Sequence, residues 1–252
     1  MNLPEKKRTL ISLVIFGISI LVWILLLFNP GHIMTVQHCH ISDSGPSAAS
    51  LRMLLQMNPF SSLMTGWGLM VVAMMLPKLI IPIQQIYASS FKRQRFLSTI
   101  LFVSGYIGVW MLVGAFMVAI ILGIHLYMPG SYIPAIVLGV IAIIWQFSPV
   151  KQQCLNRGHD HWTLAAFGWP ACRDAILFGI MHGVWCVGAG WALMLLPMLL
   201  PVGHNLAMIL VTFIMLSEHL EHPQVPRWHV DFRLRLFRYL IAQTKIKFRQ
   251  AL

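Results

Sequence analysis

The sequence predicts an all-α, polytopic membrane helix bundle of six transmembrane helices, followed by a C-terminal amphipathic surface helix. Three observations lead there. The 252 residues are 58% hydrophobic and only 10% charged, with a mean hydropathy of +0.76, which is too little charge for a soluble domain. Apolar windows of about 18 residues or more recur along the chain. The basic residues fall on one side of those windows.

The spans are read over 10–28, 60–87, 96–124, 132–148, 174–196 and 202–222. The first follows Lys6, Lys7 and Arg8, and no small-x-small cleavage site follows Phe28, so it reads as a retained span and not a signal peptide. Lys92, Arg93 and Arg95, then Lys151, Arg157 and Arg173, then the tail all lie on the side of the N-terminus. The opposite connections hold only Arg52. This asymmetry is the positive-inside pattern, and it predicts that both termini are cytoplasmic. It also accounts for most of the net charge of +11, so no nucleic-acid partner is implied. The chain reads as one membrane domain over 1–252 with a basic cytoplasmic tail over 223–252. In that tail Trp228, Phe232, Leu236 and Leu240 share a helical face opposite Arg235 and Arg238, suited to an anionic leaflet. The two long connections, 29–58 outside and 149–173 inside, read as loops. The four cysteines fall in separate places (Cys39 outside, Cys154 and Cys172 inside, Cys186 within a span), which argues against a structural disulfide.

Candidate chemistry gathers in the spans. In "WGLMVVAMMLPKLIIP", Met64, Trp67, Met70, Met74 and Lys78 share an arc of the second span, with Met75 at its border. Pro77 and Pro82 cannot donate to the carbonyls of Ala73 and Lys78, which leaves two backbone oxygens available. Taken alone, this stretch reads more simply as a kinked helix packed with methionine. In the fifth span His182 and Cys186 stack four residues apart, flanked by Gly179, Gly183, Ala189 and Gly190, which would admit a neighbouring helix. At about 1.5 Å per residue, Cys186 and Met74 lie at similar depth, roughly 18–21 Å from the inner boundary. The sixth span carries a stripe of His204, Met208, Val211, Met215, Glu218 and His222. Glu218 lies within it and could pair with Lys78. Two clusters occupy the connections: His32, His38, Cys39 and His40 outside, and Cys154, His159, Asp160 and His161 inside. Both read either as metal ligands or as solvated loop residues.

These residues resemble a bacterial family described as predicted metal-binding integral membrane proteins, a domain of unknown function. The matching pieces are Trp67-x-x-Met70-x-x-Ala73-Met74-Met75-x-Pro77, Gly105-Tyr106 with Trp110, and Gln146-x-x-Pro149-x-Lys151-x-x-Cys154-Leu155. Gly179-x-x-x-Gly183-x-x-Cys186, Trp191-x-x-Met194 and Gly203-x-Asn205-Leu206-x-Met208 complete them. The resemblance runs from about Trp67 to Glu218. It implies a metal site poorer in thiolate than the family's, because Asn156, Arg157 and Gly158 stand where a second cysteine is expected. Ala189 and Gly190 replace further cysteines, and His219 replaces a lysine.

The leading functional expectation is binding, and possible transfer or delivery, of a soft transition metal. Met, Cys and His in surroundings poor in charge favour copper, as Cu(I), over ions that need carboxylate oxygens. The candidate ligands are Met70, Met74, His182, Cys186, Met208 and Met215 in the core, with the two loop clusters beside them. Lys78 and Glu218 are the expected charge pair. Besides the lipid bilayer, a metal chaperone or a membrane redox complex is the expected partner. A second reading is a non-catalytic accessory or assembly subunit of such a complex. A third is a haem-b carrier using His125, His182 and His204, although His182 lies much deeper than the other two. No nucleophile–base arrangement, phosphate loop or zinc-protease signature supports a hydrolase or transferase.

Overall fold

The computed structural model describes residues 4–28, 48–128, 130–160, 162–200, 202–228, 241, 242 and 244. Among these, all regular structure is helical. The order is α1 (Glu5–Phe28), α2 (Ala48–Met57), α3 (Phe60–Met75), a 3-10 turn (Leu76–Leu79) and α4 (Ile80–Ser89). It continues with α5 (Arg95–Tyr127), α6 (Ile133–Gln146), α7 (Pro149–Arg157), α8 (Gly168–Leu199) and α9 (His204–His219). The expected C-terminal surface helix falls largely outside the described residues.

Four stretches are long and apolar enough to cross a membrane: Glu5–Phe28, Phe60–Ser89, Arg95–Tyr127 and Gly168–Leu199. A fifth, Ile133–Gln146 with Pro149–Arg157, is bent by 67°. The sixth expected span is the 16-residue α9, about 24 Å long against a hydrocarbon core of about 30 Å. The described residues therefore support a helical membrane protein with four or five full-length spans, and six crossings are not established.

The inner connection departs from its reading as a loop. Ser148 caps a new helix, its hydroxyl accepting from the Lys151 amide at 3.1 Å, and Pro149 occupies the first helical turn, where its missing N–H costs nothing. The bend turns α7 back against α8. The outer connection likewise contains α2.

The largest interface joins α5 to α8, and glycine makes it close. A Cβ at position 105 would lie 2.7 Å from the Ile176 carbonyl oxygen, and one at 183 would lie 3.0 Å from Val109 Cβ. One at position 179 would collide with the Phe102 carbonyl. The helix that Gly179 and Gly183 admit is thus α5, while Gly190 faces Met215 of α9. Trp110 of α5 stacks obliquely on Trp67, centroids 6.2 Å apart, while the Trp67 indole donates to the Trp110 carbonyl at 2.9 Å. Helix α3 packs on α5, and α1 lies along α3 at the edge of the bundle.

Candidate metal centre

The 3-10 turn sets the geometry of the Met-rich span. Its two prolines release carbonyls, and both oxygens find new partners. Ser19 Oγ of α1 donates to the Ala73 carbonyl at 2.6 Å, and the His219 imidazole of α9 hydrogen-bonds the Lys78 backbone. The oxygens read as available are therefore used to tie α1 and α9 to the kink. A 3-10 segment also advances about 120° per residue against 100° in an α-helix. Lys78 is thereby turned out of phase with Met70 and Met74, although it stays buried.

Cys186 meets Met75 and Tyr106. Its Sγ lies 4.0 Å from Met75 Sδ and 3.1 Å from the Tyr106 hydroxyl. Met75 and Tyr106 are completely or almost completely buried, while Cys186 is half-buried. One turn away on α8, His182 packs among the rings of Phe102, Tyr106 and Phe178, with centroids 5.8–6.0 Å apart. Neither of its ring nitrogens is hydrogen-bonded among the described residues. Two sulfurs 4.0 Å apart suit one ion at about 2.3 Å from each, with an S–metal–S angle of about 120°. That is a trigonal angle, and thioether with thiolate is a soft donor set.

Met70 and Met74 are fully buried in the same core, but the sulfur against Cys186 belongs to Met75. Met208 and Met215 are buried on α9, and Met215 Cε occupies the space that a Cβ at Gly190 would need. The expected pairing of Lys78 with Glu218 is replaced. Glu218 forms its ion pair with Lys151 at 2.7 Å, with side-chain exposures of 2% and 0%. Lys151 Nζ also donates to Gln146 Oε1 at 2.5 Å, and the Gln146 amide donates to Glu218. Lys78 loses this partner because the 3-10 turn re-aims it, and Lys151 gains it because α7 folds inward.

Among the described residues, Cys154, His159 and Asp160 of the inner cluster do not assemble as a ligand set. Cys154 Sγ packs on Gly188. His159 presents one ring nitrogen to the Leu155 carbonyl at 2.9 Å and the other to the His219 carbonyl at 3.1 Å, which leaves no lone pair facing a metal. Its ring stacks on His219 with centroids 5.4 Å apart. Both line a cavity of about 350 Å³ with Asp160, Gln85 and Phe178. His161, His32, His38, Cys39 and His40 lie outside the described residues. Among the described residues, no three His, Cys, Asp or Glu side chains converge as a metal-binding group; the soft pair at Cys186 depends on methionine.

Sequence reasoning missed Met75, Tyr106, Lys151 and His219 as site residues. Met75 stood at the border of the Met70–Met74 arc, and the Gln146-x-x-Pro149-x-Lys151 spacing carried the signal for the polar triad. Residues 64–230 match the PpoB2 family, described as a copper chaperone. The match covers well over half the chain and nearly all of the helical core. The chain belongs to the PpoB2 copper-chaperone family. No curated protein and no solved structure matches it. The PpoB2 match begins at Met64, within α3, takes in the Met-rich stretch from Trp67 to Pro82, and ends beyond α9. Every residue of the Met75–Tyr106–Cys186 contact and of the Gln146–Lys151–Glu218 triad therefore lies inside the family region.

Proposed function

We propose that this chain is an integral membrane copper chaperone that holds Cu(I) on Met75 and Cys186, with His182 as the third donor, and delivers it to a copper-requiring acceptor protein. The observation that carries this reading is the part-buried thiol–thioether contact at 4.0 Å. Donor softness matches Cu(I), and the separation fits a single trigonal ion. Tyr106 supports the bound state, because its hydroxyl can donate to the thiolate formed when copper binds.

Binding balances as an exchange. Cu(I) forms a bond to Cys186 sulfur, the S–H bond breaks, and one proton leaves the site, with copper remaining monovalent throughout. Since the metal-bound form carries one proton fewer, raising the pH favours loading, by about tenfold per pH unit while the empty thiol is protonated. Anaerobic Cu(I) titration against a chromophoric competitor tests the site. Cys186→Ser should lower affinity at least about a hundredfold and flatten the pH dependence. Met75→Leu should weaken binding less, because it keeps most of the volume while removing one sulfur. Parent-like affinity in both variants would reject these ligands.

A further inference from the structure

We infer that His204 is the ligand of a second Cu(I) site, formed with the Met208 thioether at the end of α9 opposite His219. The inference rests on the copper reading above, but not on Cys186. His204 is 6% exposed, and its Nδ1 lies 2.8 Å from the Pro197 carbonyl oxygen. A carbonyl only accepts, so Nδ1 carries the ring proton and, in the neutral ring, Nε2 carries the lone pair. That Nε2 is buried and has no hydrogen-bond partner among the described residues. A backbone carbonyl fixing one ring nitrogen while the other presents a lone pair is the arrangement of a metal-ligating histidine.

The surroundings select the ion. Met208 follows four residues later on the same helical face and is buried, as are Met194 and Met198 on α8. Residues 175–217 contain no Asp, Glu, Lys or Arg. A hard divalent cation would find no carboxylate in these segments, whereas a soft monovalent ion needs only imidazole and thioether. Pro197, which positions the ring, lies eleven residues beyond Cys186 on α8, about 16 Å along the axis. One ion cannot serve both places. Pro197 also explains why this end of α8 can hold the ring, since Gly203, at φ +84°, starts α9 in the left-handed conformation that brings His204 back towards it.

The test counts Cu(I) on the full chain in lipid nanodiscs under anaerobic conditions, alongside ¹⁵N spectra of the imidazoles. The parent should bind two ions. Cys186→Ser should retain one, and Cys186→Ser with His204→Leu should retain none. In the parent, Cu(I) should move the His204 Nε2 resonance away from its lone-pair position while Nδ1 stays protonated. A Cys186→Ser protein without copper, or a double variant that keeps the ion, overturns the second site. So does an unmoved Nε2 resonance, which needs no variant to fold. If His204→Leu alone removes all copper and Cys186→Ser none, the His204 site stands and the Cys186 site falls. A parent that binds no copper removes both.

Discussion

Lys151 and Glu218 bring two full charges into an apolar core, where each depends on the other. Desolvation makes such a pair a doubtful source of net stability, yet removing one member strands its partner. Glu218→Ala should therefore destabilise the protein by about 3–5 kcal/mol, whereas Lys151→Met with Glu218→Leu should stay much closer to the parent. Unfolding of the detergent-solubilised variants reads the difference. Equal losses in the single and double variants would show that the pair is not coupled. The same residues mark where helical periodicity stopped being informative. The i, i+4 spacing of His182 and Cys186 was legible because α8 is continuous there. Lys78 was misplaced because a constant 100° advance fails at the 3-10 turn, whereas Met75, still within α3, was read at the border of the Met70–Met74 arc. Lys151 read as a cytoplasmic charge because composition does not reveal a bend.

At the level of helices, α5 and α8 approach through backbone, and this is where substitution should be least forgiving. Gly179→Ala would put a methyl group onto the Phe102 carbonyl, and no side-chain rotation relieves contact with a main chain. It should cost at least about 1–3 kcal/mol and, by parting Tyr106 from Cys186, lower Cu(I) affinity too. Gly108→Ala, whose added methyl group meets nothing within 4 Å, is the matched control and should remain near the parent in thermal unfolding. Parent-like behaviour of Gly179→Ala would mean that the helices sit farther apart. The glycines themselves announced a close neighbour, but only the folded chain identifies it as α5 for Gly179 and Gly183 and as α9 for Gly190. Helix α7 was hidden for a different reason. Nine residues that open on a proline and are mostly polar look like a loop until the Ser148 cap is recognised.

For the whole molecule, the one-sided Lys and Arg content predicts six crossings with both termini cytoplasmic. Reporter fusions after Ala49 and at the C-terminus should then report opposite sides, and matching sides would reject that arrangement. The long apolar spans were legible directly, because lipid leaves a compositional signature that survives without tertiary contacts. The short α9 was legible as well, inside the span read over 202–222 and as the stripe from His204 to Glu218. Its length of 16 residues and the burial of His204 and Glu218 by neighbouring helices emerge only in the folded chain.

Copper loading at the Cys186 thiol, as proposed above, has an electrical consequence. A bare monovalent cation entering so apolar an interior would face a Born penalty of many kcal/mol. At a protonated thiol, one positive charge leaves as another arrives, and the charge of the core is the same before and after. A transmembrane voltage does work only on net charge displaced across it. If the departing proton retraces the route by which the ion came in, loading is blind to the membrane potential, and the energised state of the cell neither drives copper into this protein nor pulls it out.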